Sequence, residues 1–314
     1  GLPHRIVRPA TGATLVAVAV GLPWLVDGYT ISLASNALIL ALLAASTHLV
    51  GIGGLPSFGQ TAYLAAGGYT AALLAQAGTT GAVPHLAVGI LAGVMLAVAT
   101  APVVLRVRNT PYLMVTFAVG QLAAIAAAKS TLLGGDEGLS LPPVTLPGLG
   151  QLRLDGHLYL YTLAVTGLLL LATGWIIRTQ MGLRWRAIAD HEPRLAALGH
   201  HTGRDLLTAH LLAAGIAGAA GALLADAHRY IGPADLGMDI ASAALLACAV
   251  GRGRLAGAIA AAVGIVAVRD LLGGVTSGHA TALLGAVFVL VAYQHLLRRK
   301  APRPAVAPPG GGRR

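Results

Sequence analysis

Charge is scarce in this chain. Of 314 residues only 10% are Asp, Glu, Lys or Arg, against about 25% in an ordinary soluble domain. With 56% apolar residues and a mean hydropathy of +0.76, a soluble globular fold is excluded. Aromatic residues are scarce as well, at 4% with three Phe and three Trp, so the aromatic girdles of a membrane β-barrel are missing. Lysine occurs only as Lys129 and Lys300, neither preceded by Gly, which excludes a P-loop and with it a nucleotide site in this chain. The single Cys248 rules out an intrachain disulfide and a Cys-rich metal centre. The histidines, including His191, His200 and His201, form no i, i+4 pair with a third ligand, so neither a metal nor another cofactor is expected here.

What is present is Leu, Ala, Val and Gly in runs of about twenty, the length of a membrane-crossing helix. The runs predict spans near 13–26, 31–50, 57–76, 84–105, 111–128, 157–177, 206–225, 238–251, 255–271 and 280–297. The short or Gly-interrupted runs at 57–76 and 238–251 are expected to dip into the bilayer or cross it as broken helices. Arg5 and Arg8 precede the first run, but it ends in Trp24, Asp27 and Tyr29 without a small-residue cleavage pattern, so it reads as a retained span. The start at Gly1 rather than Met is read as removal of at least one residue.

The few charges are sorted by side. Ten crossings place 17 of the 21 Lys and Arg on the side of both termini and leave Lys129, Arg153, Arg229 and Arg269 on the other. By the positive-inside rule both termini are cytoplasmic. The expectation is an all-α, polytopic membrane protein of about ten transmembrane or re-entrant helices, N-in and C-in. It forms one domain over 1–297, and the basic tail 298–314 is expected to be disordered and to meet anionic lipid, with no call for nucleic acid. All eleven acids fall at span ends or in loops, leaving His48 and His210 as mid-span ionisable groups. An ion gradient therefore has no evident carrier, and the energy for transport is expected from another subunit.

Three stretches carry more. The internal segment 178–204 is charged and helical in pattern, and two short helices fit it: Pro193 suits a first helical turn and Gly199 a helix end. Small residues recur at helix-contact spacing at Gly215, Gly218 and Gly221, at Gly253 with Gly257, and at Gly274 with Gly278. From Gly54 onward, GLPSFGQTAYLAAGGYTAALLAQ sets Ser57, Gln60, Thr61 and Tyr63 at the start of an otherwise apolar helix, with Gly59 allowing close backbone approach. A helix start inside a membrane offers free N–H donors toward a pathway.

This last stretch closely resembles the corresponding one in permease subunits of branched-chain amino acid ABC importers, the LivM-like family. The resemblance continues through Pro111-Tyr112 and Val115-Thr116-Phe117, and through Gly134-Gly135-Asp136-Glu137-Gly138-Leu139-Ser140, which is similar to the loop that separates LivM-like from LivH-like subunits. It extends to Gly182-Leu183-Arg184-Trp185-Arg186-Ala187-Ile188 and Ala197-Leu198-Gly199, similar to the cytoplasmic coupling segment, and to Ala217–Leu223. Two departures stand out: where the family usually has Gly-Gly-x-Gly-Ser-Leu-x-Gly-Pro, this chain reads Val250-Gly251-Arg252-Gly253-Arg254-Leu255-Ala256-Gly257-Ala258, with Arg254 in place of Ser, and Gln121 stands where Glu is frequent.

The resemblance implies a transport subunit with no catalytic residue. It would pair with a second, LivH-like permease or with its own copy, bind two cytoplasmic ATP-binding subunits, and receive substrate from an extracytoplasmic binding protein in a bacterial inner membrane. Ser57, Gly59, Gln60 and Thr61, with Thr116 and Gln121, are the expected pathway lining, while Tyr69 and Thr70 are read as packing. Gly182, Arg184, Arg186, Asp190, Glu192, Leu198 and Gly199 are the expected ATPase-docking residues. The cargo is expected to be a branched-chain or related amino acid. The alternatives are the same machinery carrying urea, a short amide or a simple sugar, and an ion-coupled carrier or a structural membrane protein.

Overall fold

The computed structural model describes residues 20–24, 26–146, 150–151, 155–251 and 253–275. Most of the expected first span, the span at 280–297, Arg252 and the tail lie outside the described residues. The chain divides into two units between Ala267 and Val268, and the architecture below is that of the first.

Among the described residues, nine helices of 13 residues or more follow in order: α1 (Gly28–Ile52), α2 (Gln60–Gln76), α3 (Ala82–Val104), α4 (Asn109–Lys129), α5 (Asp155–Arg178), α6 (Gln180–Ala197), α7 (Thr202–His228), α8 (Met238–Val250) and α9 (Leu255–Val275). Six stretches among the described residues are long and apolar enough to cross a membrane: α1, α3, α4, α5, α7, and α8 with the turn before it. α2 has 17 residues, about 25 Å at 1.5 Å per residue, short of the roughly 30 Å hydrocarbon core. α8, with 13 residues, is shorter still. Both are the runs whose length already set them apart. The irregular backbone before α2, at 53–59, is largely enclosed by protein, the condition under which non-helical backbone is tolerated at membrane depth, whereas residues 77–79 after it are exposed.

Burial separates the helices into two kinds. α1 and α7 are buried along most of their length, whereas α3, α4 and α5 bury one narrow stripe each. On α3 the stripe is Ala82, His85, Gly89, Gly93, Ala97, Ala101 and Val104, a spacing of three and four that holds one helix face. Leu91, Met95, Leu122, Leu168, Leu171 and Trp175 point outward from α3, α4 and α5, a surface suited to lipid rather than water.

The centre is α2, α3 and α7 in backbone contact. A Cβ on Gly67 would lie 2.0 Å from the Gly218 carbonyl oxygen, one on Gly221 1.9 Å from that of Leu64, and one on Gly93 2.5 Å from that of Ala214. Gly218 and Gly221 thus act as the small-residue pattern predicts, although Gly215 meets only side chains of Ile90 and Val94. Without a hydrophobic force between helices in lipid, such close approach supplies the packing. Gly257 is also tight, against the Gly251 backbone, while Gly253 has open space and a φ of +71°; the pair Gly274 and Gly278 lies outside the described side chains.

Loops gather at two ends. At one end the turn at 53–59, the 105–108 loop and α6 share a cluster with Leu55, Val104, Tyr112, Trp185, Ile188 and Leu206. At the other end, β1 (Leu139–Ser140) pairs antiparallel with β4 (Tyr230–Ile231), β2 (Thr145–Leu146) pairs with β3 (Gly150–Gln151), and Thr145 N–H donates to the Thr80 carbonyl at 2.7 Å. The Gly134–Ser140 motif is therefore a clamp on the turn after α7. Gly134, Gly135 and Gly138 all have positive φ, and a Cβ on Gly138 would meet the Ile231 carbonyl oxygen at 2.4 Å.

Candidate functional site

The chain leaves α1 through Gly53 and Gly54, the latter at φ +80° with Ala189 of α6 against it: an added Cβ would stand 3.2 Å from Ala189 Cα. It then runs without helix until Gly59, whose N-cap position has no side-chain cap. The Ser57 hydroxyl accepts the Gly59 N–H at 3.1 Å, the Thr116 hydroxyl accepts the Phe58 N–H at 3.3 Å, and Thr61 donates to the Phe58 carbonyl at 3.4 Å. Side chains thus replace the partners a mid-membrane helix start lacks. Gly59 is held so close to Thr116 that a Cβ would lie 3.1 Å from its carbonyl oxygen.

Ser57, Gly59, Gln60, Thr61 and Thr116 therefore come together, and the four side chains are no more than 2% exposed. In this conformation protein encloses them on all sides. Gln121, five residues beyond Thr116, lies off that face and is half-buried. Thr70 donates to the Ala66 carbonyl at 2.6 Å within its own helix, and Tyr69 is buried without a partner for its hydroxyl among the described residues.

Two polar rungs tie the start of α2 to α7. The Ser46 hydroxyl lies 2.8 Å from both Gln60 Oε1 and the Ala213 carbonyl, and its single proton satisfies one at a time. One turn along, the Tyr63 hydroxyl is 2.9 Å from His210 Nε2 and 3.0 Å from Thr100 Oγ1, while Thr100 donates to the Leu96 carbonyl. Gln60 Nε2 and His210 Nδ1 have no partner among the described residues. Such half-satisfied polar groups are costly in a dry interior and fix one arrangement of the helices.

The 178–204 segment is two helices, as its pattern predicts. His191 breaks α6 with φ −163° and ψ 80°, Pro193 sits in the turn after the break, and Gly199 ends the segment at φ +85°. In the first arm Gly182, Trp185 and Ile188 face inward, and the Trp185 indole N–H donates to the Asp205 carbonyl at 2.8 Å. Arg184 reaches Asp205 at 3.7 Å. Arg186, Asp190, Leu198 and Gly199 are exposed, with Leu198 at 73% and the neighbouring Leu183 at 61%.

Glu192 is differently placed. Its carboxylate accepts from Arg108 Nε and Nη2 at 3.1 and 3.2 Å, and Arg108 also donates to the Leu105 and Val107 carbonyls. The Arg108 guanidinium holds the Glu192 carboxyl below its usual range. A polar cavity of about 310 Å³ opens beside this pair, between Gly53, Gly54 and His191. Of the expected docking residues, then, Gly182 and Glu192 serve the fold of the segment itself, and the others form its outer surface.

One pair has no counterpart in the linear reading. His85 Nδ1 lies 2.7 Å from Asp226 Oδ1, with the two side chains 0% and 1% exposed. A span ending at 225 leaves Asp226 in a loop; the helix runs on to His228 and carries the carboxylate inside. The partners are 141 residues apart, so no local pattern links them. Buried acids in a membrane protein are functional-site candidates by default.

Residues 29–292 match the protein family described as the branched-chain amino acid transport system / permease component. The chain is 29% identical over 307 residues to the high-affinity branched-chain amino acid transport system permease protein LivM of Escherichia coli, covering 88% of this chain and 71% of that protein. The LivM protein of Salmonella typhimurium is similar to the same extent. No solved structure matches the chain significantly. A polytopic helical bundle, a polar helix start buried at its centre and a family match over most of the length lead to one conclusion: the chain belongs to the branched-chain amino acid transport permease family.

Proposed function

We propose that this chain is the membrane-spanning permease subunit of an ATP-driven importer for a branched-chain or related amino acid, with about ten crossings and both termini cytoplasmic. Two ATP-binding subunits dock on the outer surface of the 178–204 segment, a second permease of LivH-like type or a second copy completes the pathway, and an extracytoplasmic protein delivers the cargo. The grouping of loops supports the sidedness: Arg106, Arg108, Arg178, Arg184, Arg186, Arg194 and Arg204 belong to the end that holds the docking segment.

The observation that carries the reading is the contact of Ala189 with Gly54. Gly54 lies six residues before Gln60, so a displacement of the docked segment acts on the turn that leads into the buried polar helix start. ATP binding and hydrolysis in the partners would then shift the bundle between outward- and inward-open populations. The test is co-expression with the candidate partner subunits. Arg184→Glu with Arg186→Glu should abolish co-purification of the ATP-binding subunits and ATP-dependent uptake of labelled leucine into proteoliposomes. Unchanged co-purification would overturn the docking assignment, and ATP-driven uptake of urea or a sugar without leucine would overturn the cargo.

A further inference from the structure

The transport reading leaves His85 and Asp226 unused. His85 Nε2 lies 2.7 Å from the Thr79 carbonyl and Nδ1 lies 2.7 Å from Asp226 Oδ1. A carbonyl has no proton to give, so Nε2 must carry one. Two arrangements then satisfy Nδ1. Either it is also protonated and an imidazolium meets a carboxylate, or it is bare and accepts the proton of a neutral carboxyl. Both hold one proton more than a neutral imidazole beside an ionised carboxylate. That third state would set two lone pairs 2.7 Å apart between fully buried groups, where no solvent relieves them.

We propose that His85 and Asp226 form a proton-binding site that clamps one end of the bundle, the bound proton holding the 77–81 loop and the start of α3 to the end of α7. The surroundings fit a clamp. Thr80 in the same loop bonds Thr145, and Tyr161 of α5 donates to the Ala82 carbonyl at 3.1 Å. Asp226 Oδ2, buried and without a partner among the described residues, contributes nothing to satisfy the carboxylate once the proton leaves. Tyr161 is the titratable group that faces Asp226 from α5; its neutral phenol leaves the proton count unchanged. Other titratable or charged groups at this end include Tyr69 on α2, Lys129 at the end of α4, Asp136 and Glu137 beside β1, His157 and Tyr159 at the start of α5, His228 on α7, bonded to Asn36 of α1, Arg229, Tyr230, Asp235 and Asp239.

The test uses the full chain in lipid nanodiscs, without nucleotide or cargo, so that it does not share a failure with the uptake assay. Asp226→Asn keeps the bonding of the loaded site, because the amide donates to Nδ1 while Nε2–H still donates to Thr79, but removes the titratable proton. The wild type should lose several degrees of melting temperature relative to D226N as the pH is raised from 7 to 10. Parallel curves for the two proteins overturn the proposal. Should D226N not fold, the wild type still decides through 15N-histidine NMR with 13C-aspartate infrared spectra at pH 7. An imidazolium or a protonated carboxyl at this pair supports the site; a neutral imidazole beside an ionised carboxylate overturns it.

Discussion

Gly221→Ala is the most direct test of how the centre is held. The added Cβ would stand 1.9 Å from the Leu64 carbonyl oxygen and 2.8 Å from Gly68 N. Ordinary contact begins near 3.4 Å, so α2 and α7 must part by about 1.5 Å, since neither obstacle is a flexible side-chain end. Overpacking of this kind costs roughly 1–3 kcal/mol. The separation also stretches the Tyr63–His210 rung between α2 and α7, now at 2.9 Å, past bonding distance. Leaving its buried groups unsatisfied adds about 1–3 kcal/mol, for roughly 2–6 kcal/mol in all. With about 2–4 °C lost per kcal/mol in a chain of this size, thermal unfolding of the purified protein should fall by at least about 4 °C. Gly264→Ala is the control, because its Cβ meets nothing within 4 Å and alanine gains helix propensity there. A G221A protein melting with the wild type would refute the backbone-contact account of the core.

Further outcomes follow from the same geometry. Arg108→Glu and Glu192→Arg should each lower stability by about 1 kcal/mol, the scale of a half-exposed ion pair, and the exchanged double variant should recover most of it; a double-mutant cycle on melting temperature reads the coupling. Because Arg108 depresses the Glu192 pKa below its unfolded value near 4.5, that contribution is present at neutral pH and lost as pH falls through the lowered value, which the same cycle at pH 3 should show as vanished coupling. Gly138→Ala should cost roughly 2 kcal/mol, from a φ of +68° and a clash with the Ile231 carbonyl, and should raise hydrogen exchange at Leu139–Ser140 and Tyr230–Ile231 first; uniform destabilisation would contradict the clamp.

The helices of this bundle were legible from hydropathy because each expected run that lies within the described residues sits on one. Runs at 31–50 and 157–177 correspond to α1 at Gly28–Ile52 and α5 at Asp155–Arg178, the ends extending into polar residues that windows trim. The break in α6 was legible too, since Pro193 and Gly199 act through the local backbone. What stayed hidden depends on distance in sequence. Arg108 finds Glu192 84 residues away and His85 finds Asp226 141 away, and only the fold makes a carboxylate at the end of a span tolerable inside it. Gly182 shows the converse: a residue within a matching motif, whose role is set by the Ile177 backbone against it, not by the motif.

The stripe on α3 has a mechanical consequence. Between Gly89 and Ala101 it offers only small side chains, a smooth rail along which a neighbouring helix meets no interlocking knobs. Two pins interrupt the rail: His85 holds α3 to α7 at one end, and Thr100, through Tyr63, links it to α2 and His210 near the other. Sliding α3 by one turn would part both pins, whereas moving α2, α3 and α7 together parts neither. The three helices are thus coupled as one piston.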